Sequence, residues 1–415
     1  MNKLRLAVIG AGVSGLTVAQ LLKDKYEIKV FEKDSRPGGL IKCERVNGSL
    51  FHTCGGHVLN SKYPEVLNWI GKFVDLEKEY VKADRNSCVV FNDGLHVPYP
   101  IENHIYLLPK TLQLKCIGDL LSMAKEDNHV YENFEDFLKK RFGDTLFNLY
   151  FLPYNKKVWK CALENIPISW LEGKLPMPTV EDIIYNNMNH VEEKRFVHSS
   201  FWYPREGGSQ FMADRLALGL SIKYNTCVDK LKFTNGVWIV DNERFDKIVF
   251  CSNIKQLPDC IEGVDISEFN DDISCLQYHG TTTVFCEIEN NSYSWMYLPS
   301  SDYACHRVIC TGNFSDTNNS EGKFTGTVEF TDRVSLTEIM DHLHRMPYSP
   351  SYLAHKYNKY TYPVQTPHTR ELVSHLKDVL QKKNFYFTGR FADWEYYNMD
   401  VAMKAAMTMC DHYAL

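Results

Sequence analysis

Gly10-Ala11-Gly12-Val13-Ser14-Gly15 sets three glycines in the spacing G-x-G-x-x-G, and an acidic residue, Glu32, stands about 20 residues further on. Such a turn brings backbone N–H groups and the positive end of a helix dipole against a pyrophosphate. A carboxylate at that distance accepts a hydrogen bond from a ribose 2′-hydroxyl. Gly10 permits the tight turn, Gly12 lets the backbone approach the phosphates, and Gly15 lets helix and strand pack closely. The chemistry implied is dinucleotide binding, and by spacing alone NAD fits as well as FAD. The continuation Glu32-Lys33-Asp34-Ser35-Arg36-Pro37-Gly38-Gly39-Leu40 adds a second glycine turn, for which a pure NAD domain has no need.

These residues need a scaffold. Leu6-Ala7-Val8-Ile9 predicts a strand before the turn and Lys29-Val30-Phe31 another after the helix, so residues 1–60 read as a β-α-β unit. Apolar residues at helical spacing recur between Pro109 and Met188, as in Asn133 to Phe142, and predict a largely helical insertion. Alternating stretches such as Thr283 to Ile288 and Gly326 to Phe330 predict an antiparallel sheet. Lys223 to Val228 and Lys247 to Cys251 read as buried strands returning to the first domain. Asn384 to Trp394 reads as a strand emptying into a glycine turn, followed by a helix from Met399 to His412.

The expected fold class is mixed α/β: a Rossmann-type nucleotide-binding domain with a helical domain and an antiparallel sheet domain. The nucleotide-binding domain is expected to be discontinuous, built from residues 1–80, 212–262 and 372–415. The helical domain would take 109–190, and the sheet domain 81–108, 191–211 and 263–371.

The 415 residues are 44% hydrophobic and 24% charged, with a formal net charge of −6. That balance is ordinary for a globular protein and lacks the basic footprint of a nucleic-acid binder. The thirteen cysteines include no C-x-x-C pair, which fits reduced thiols and a cytoplasmic location. The most apolar N-terminal stretch, Leu6 to Leu22, carries three glycines and several polar residues, so stable membrane insertion is not expected.

Further motifs narrow the reading. Gly55-Gly56-His57-Val58 forms a histidine loop. Arg85-Asn86-Ser87 precedes Val97-Pro98-Tyr99-Pro100-Ile101-Glu102. Pro153-Tyr154-Asn155-Lys156-Lys157-Val158-Trp159 follows, then Trp295-Met296-Tyr297-Leu298-Pro299 with Arg307 downstream. Gly389-Arg390-Phe391 and Trp394 to Asp400 close the series. In this order the set resembles the UDP-galactopyranose mutase family, within the amine oxidase and protoporphyrinogen oxidase superfamily.

The resemblance implies FAD as cofactor, active when reduced. It also implies a redox-neutral interconversion of pyranose and furanose nucleotide sugars through a covalent flavin N5–sugar adduct, with UDP-galactopyranose as the first substrate expected. Cofactor contacts are then expected from the residues of the two glycine turns, Glu32, Gly55, Gly56, His57, Val228, Gly389, Arg390, Asn398, Met399 and Asp400. Arg307 and Lys174 would hold the diphosphate, Lys174 standing where the family has a second arginine; the alternative for Lys174 is a solvated lysine at a helix end. Tyr297, Tyr362 and Tyr396 would hydrogen-bond the diphosphate. Asn155 and Trp159 would lie by the sugar and base, and Tyr99, Ile101 and Glu102 by the nucleotide. His57 and Arg390 would face the flavin. Arg85 and Ser87 match positions implicated in reductant binding, so NADPH or NADH is a possible electron source.

Ile101-Glu102 departs from the Phe-Gln of one family branch, which leaves the base and sugar open. Two alternatives stand beside the mutase: the same chemistry on another nucleotide sugar, and an oxidase of the amine or porphyrinogen type.

Overall fold

The computed structural model describes residues 3–125, 130–168, 178–191 and 200–415. Arg5–Ile9 is the central strand of a five-stranded parallel sheet and is buried from Leu6 onward. A strand covered on both faces reads as a continuous apolar run, which is why this segment does not alternate. Glu27–Phe31 and Lys247–Phe250 flank it, with Ile222–Lys223 and Phe385–Phe387 at the two edges. The start, middle and end of the chain thus meet in one sheet. Helix Val13–Leu22 packs against the C-terminal helix Met399–His412. A side chain on Gly15 is excluded, since its Cβ would stand 1.9 Å from the Gly10 carbonyl oxygen.

One expected strand is corrected. The stretch from Lys223 to Val228 pairs with the sheet's strands only at its start, where Ile222 and Lys223 oppose Val30 and Phe31. Asn225 then takes a left-handed conformation (φ 51°) and turns the chain out of the pleat. Backbone N–H groups of Asn225 and Thr226 donate instead to the carbonyls of Asp34 and Glu32. Val228 is half-buried against the apolar cluster under the parallel sheet.

The helical segment comprises Lys110–Met123, Phe134–Leu146, Leu152–Trp159 and Val180–Met188. Asn133 starts the second helix by accepting from the Asp136 N–H at 2.9 Å, and Thr179 with Asp182 forms a reciprocal capping box on the last. Phe134, Phe137, Leu138 and Phe142 recur at helical spacing and are all buried.

A seven-stranded sheet runs in the order Ser351–Pro363, Tyr278–Glu287, Thr325–Thr331, Arg307–Ile309, Trp295–Tyr297, Ser87–Val90, His96–Pro98. Its pairings are antiparallel except that of Trp295–Tyr297 with Ser87–Val90. The register sets Tyr297 opposite Arg307 and Arg307 opposite Glu329, so the three share one face. Alternate residues Met296, Val308 and Val328 point the other way into a separate core with Ile339 and Leu343 of helix Leu336–Leu343. That period-two alternation puts the polar row on the side of the parallel sheet's open end. Among the described residues no helix is long and apolar enough to cross a membrane.

Candidate functional site

The first glycine turn, the Gly55–His57 loop and the Gly389 turn converge on a cleft. Its walls include Gly12, Val13, Ser14, Lys33, Gly38, Gly39 and Leu40 on one side and Gly389, Arg390, Asn398 and Met399 on the other. Helix Val13–Leu22 begins at Gly12 with no side chain capping it, so its first N–H groups are available to an anion there. Gly10 and Gly15 lie behind the turn and shape it. Glu32 is buried, with one carboxylate oxygen accepting from the Ala11 N–H at 2.8 Å and the other from the Asp34 N–H at 3.0 Å. It thereby ties the first glycine turn to the segment that leads into the second. Val228 forms no part of these walls.

The cleft opens into a cavity of about 340 Å³. His57, Arg390, Asn398 and Met399 belong to the walls of both. The cavity is also lined by Gly55, Gly56, Asp400, Tyr297, Arg307, Tyr362 and Tyr396, all singled out from sequence, together with Arg85, Lys62 and Trp295. Side chains carrying positive charge thus outnumber the single carboxylate on these walls. An anionic ligand suits that balance, and a guanidinium fork suits phosphate oxygens.

Each of the three arginines is held by identifiable partners. Arg307 Nε donates to the Glu329 carboxylate and its Nη2 donates to the Tyr362 hydroxyl at 3.2 Å. Burial is the largest single influence and works against the guanidinium's charge, but Glu329 together with Tyr362, Tyr154 and Tyr396 outweighs it, so its pKa lies above the ordinary value. Burial would likewise raise the Glu329 carboxyl, yet Arg307 and His306 hold it well below the usual range. Arg390 stacks over the Tyr396 ring at 4.1 Å, and Tyr396 stacks on Tyr362 with centroids 5.5 Å apart. Arg85 Nη2 donates to the Tyr297 hydroxyl at 3.0 Å, and Arg85 Nε to Ser87 Oγ at 3.2 Å.

Burial, with His52 next in effect, pushes the His57 imidazole down to about 3, so it is neutral at pH 7. Its Nε2 is buried and has no hydrogen-bond partner among the described residues; the same holds for Arg390 Nε. Orphaned polar atoms of this kind are rare in a folded interior and point to a missing partner. Both lie where cleft and cavity meet. The residues present therefore fit a dinucleotide: the uncapped helix start suits its phosphates, and the unpartnered polar atoms of His57 and Arg390 suit a ring system.

Other expected residues are placed differently. Trp159 Nε1 donates to Asn155 Oδ1 at 3.2 Å, and the tryptophan packs edge-on against Tyr362 and Tyr396 at 5.9 and 6.2 Å. The pair supports the tyrosines from behind and does not line the cavity. Tyr99 packs on Tyr297 at 5.0 Å. Ile101 and Glu102 are buried in the core under the helical segment, away from the cavity walls. The cause is local: they form a 3₁₀ turn, and Asn187 of the last helix donates to the Glu102 carbonyl at 2.8 Å, drawing the turn inward. Burial pushes the Glu102 carboxyl up to about 7. Lys174 lies outside the described residues.

Sequence reasoning missed several residues. Glu329 sits mid-strand in a run with no polar motif, and only the cross-strand register brings it to Arg307. His52 hydrogen-bonds Tyr203 at 2.7 Å and receives the His57 N–H at 3.4 Å. Lys157 donates to the carbonyls of Leu298 and Cys305 at 2.6 and 3.1 Å, pinning the Leu152–Trp159 helix to the sheet. Burial lowers its pKa to about 8. A lysine inside a helical apolar stretch was the available signal for that role.

Known proteins resemble this chain both in part and over its whole length. Residues 8–73 match the family model of the NAD(P)-binding Rossmann-like domain. A dTDP-fucopyranose mutase of Escherichia coli is 23% identical, covering 100% of this chain and 98% of that protein. A UDP-galactopyranose mutase of Mycoplasma genitalium is 22% identical over 97% of this chain and 93% of that protein. The crystal structure of a reduced UDP-galactopyranose mutase superposes with a TM-score of 0.89 at 20% identity, covering 100% of this chain and 94% of the other. Over essentially its whole length, then, the chain is a homologue of proteins named dTDP-fucopyranose mutase and UDP-galactopyranose mutase, and it has the fold of the latter.

Proposed function

We propose that the protein is an FAD-dependent nucleotide-sugar mutase that interconverts pyranose and furanose forms without net oxidation. The observation that carries this reading is the continuity of the two spaces. A glycine-walled cleft built for a dinucleotide opens directly into a cavity lined by arginines and tyrosines, which suits a second diphosphate. An oxidase acting on a cationic amine has no use for guanidinium groups around its substrate, and the relatives matched over nearly the full length of both chains are mutases.

Reduced FAD, when bound, supplies a nucleophilic nitrogen for the anomeric carbon of the sugar. The remaining work falls to the chain. Arg307, fixed by Glu329 and Tyr362, neutralises the diphosphate as it leaves and returns. Tyr297, Tyr362 and Tyr396 present hydroxyls to the same oxygens, and Lys174 adds a further cation. Neutral His57 offers its buried Nε2 to the cofactor ring, and Arg390 favours the electron-rich reduced state. Gly55, Gly56, Asn398, Met399 and Asp400 let the backbone approach the same ring. Arg85 at the cavity wall, backed by the buried Ser87 that accepts its Nε–H, is the group to meet NADPH or NADH as reductant.

UDP-galactopyranose is the substrate to try first. A thymidine-linked deoxysugar is the second, favoured by the full-length likeness to the Escherichia coli protein. The test is turnover of each sugar nucleotide by anaerobically reduced protein, with oxygen uptake followed in air. Oxygen consumed in proportion to product would replace the mutase reading with the oxidase one.

A further inference from the structure

We propose that Glu329 is a positioning residue that sets both halves of the site at once, the anion-binding arginine through one oxygen and the cofactor-facing loop through the other. The inference rests on the reading of the cavity as a diphosphate site beside FAD.

Glu329 is fully buried in the strand Thr325–Thr331. Its Oε2 accepts from Arg307 Nε, which lines the cavity. Its Oε1 accepts the Gly55 N–H at 2.8 Å, and Gly55 opens the loop that carries His57 to the junction of cleft and cavity. A third neighbour, His306 Nε2, stands 3.7 Å away on the strand side. A buried carboxylate cannot exchange a lost partner for water, so a change in one bond is felt by the other.

A second contact ties the same loop to the same strands. A side chain on Gly56 would meet Ile309 Cγ2 at 2.8 Å, and Ile309 lies two residues from Arg307 on the same face. Gly55 itself holds a left-handed conformation (φ 64°), which fixes the direction of its N–H toward Glu329. The arginine and the loop therefore rest on one rigid corner.

The consequence is a coupling between sites. A diphosphate bound to Arg307 shares the guanidinium's positive charge and weakens its pull on Oε2, and the carboxylate charge so released strengthens the bond to Gly55. The loop against the flavin then shifts its balance, so nucleotide affinity and flavin redox state depend on each other, and thermodynamics makes that dependence reciprocal.

The test measures the dissociation constants of UDP and dTDP, by tryptophan fluorescence, for the oxidised and dithionite-reduced holoprotein. The wild type is expected to bind at least one of them about fivefold or more differently in the two states. In Glu329→Gln, whose side chain has one acceptor oxygen in place of two, the ratio is expected to fall below about twofold while FAD stays bound. Arg307→Lys, which leaves Glu329 on Gly55 but removes the guanidinium Nε, is expected to lose the ratio too and serves if the glutamine variant does not fold. A full wild-type ratio in either variant, or no ratio in a wild type that binds both ligands, overturns the proposal. A wild type that holds no FAD or binds neither nucleotide overturns the functional reading instead.

Discussion

Arg307 spends two of its donors on Glu329 and Tyr362 before any ligand arrives. Such preorganisation costs the arginine its freedom in advance, so a phosphate meets a fork already aimed. Arg307→Lys keeps the charge but not the fork. It is expected to weaken UDP or dTDP binding at least tenfold, since charge-assisted contacts of this kind contribute about 1.5–3 kcal/mol. Calorimetry on the oxidised protein reads this, and an unchanged affinity would move the anion site elsewhere. Glu102 behaves in the opposite sense. Its ordinary pKa of 4.5 rises to about 7 through burial. A carboxyl with a raised folded pKa gives stability that is complete below the unfolded value and lost as pH climbs through the folded one. Glu102→Gln is therefore expected to stabilise the protein near pH 8 by about 3 kcal/mol and to change little near pH 4. Urea denaturation at the two pH values checks it; equal effects at both would contradict the burial argument.

The glycine turn shows how an element is made by what it forbids. Gly15→Ala places a Cβ 1.9 Å from a backbone oxygen that cannot retreat without opening the helix–strand junction. The expected outcome is colourless or insoluble protein, read as the flavin-to-protein absorbance ratio; a yellow, stable variant would mean that the junction gives way easily. Elements of this kind were legible in the chain because their signals are local. The strand–turn–helix at Gly10, the helix over Phe134 and the helix Met399–His412 all follow from spacing within a few residues. Glu329 was not legible, because its partner is set by strand register across 22 positions of chain. The strand expected to run to Val228 failed for a related reason: strand-forming residues such as Tyr224, Thr226 and Val228 were present, but the sheet's edge offered only two positions to pair. Trp159 and Asn155 were found as site residues, yet a hydrogen bond one helical turn apart engages them with each other, behind the tyrosines.

At the scale of the whole molecule, the parallel sheet supplies a cleft at its strand ends and the antiparallel sheet supplies a polar face, and the site is where they meet. Ligand sites in open α/β sheets fall at the carboxyl ends of the strands for the same topological reason. Neither sheet holds the site alone: Arg390 comes from the turn after an edge strand of one, Arg307 from an inner strand of the other. The likeness of the entire chain to a reduced UDP-galactopyranose mutase at TM-score 0.89 extends across both. The measurement that tests this account most directly is anaerobic turnover. Purified flavoprotein, reduced with dithionite, is incubated with UDP-galactopyranose or with dTDP-fucopyranose, and the products are separated by chromatography with oxidised protein as the control. A furanose product is expected from one of the two sugars in the reduced state alone. No furanose from either, in a protein that is yellow and fully reducible, would contradict it.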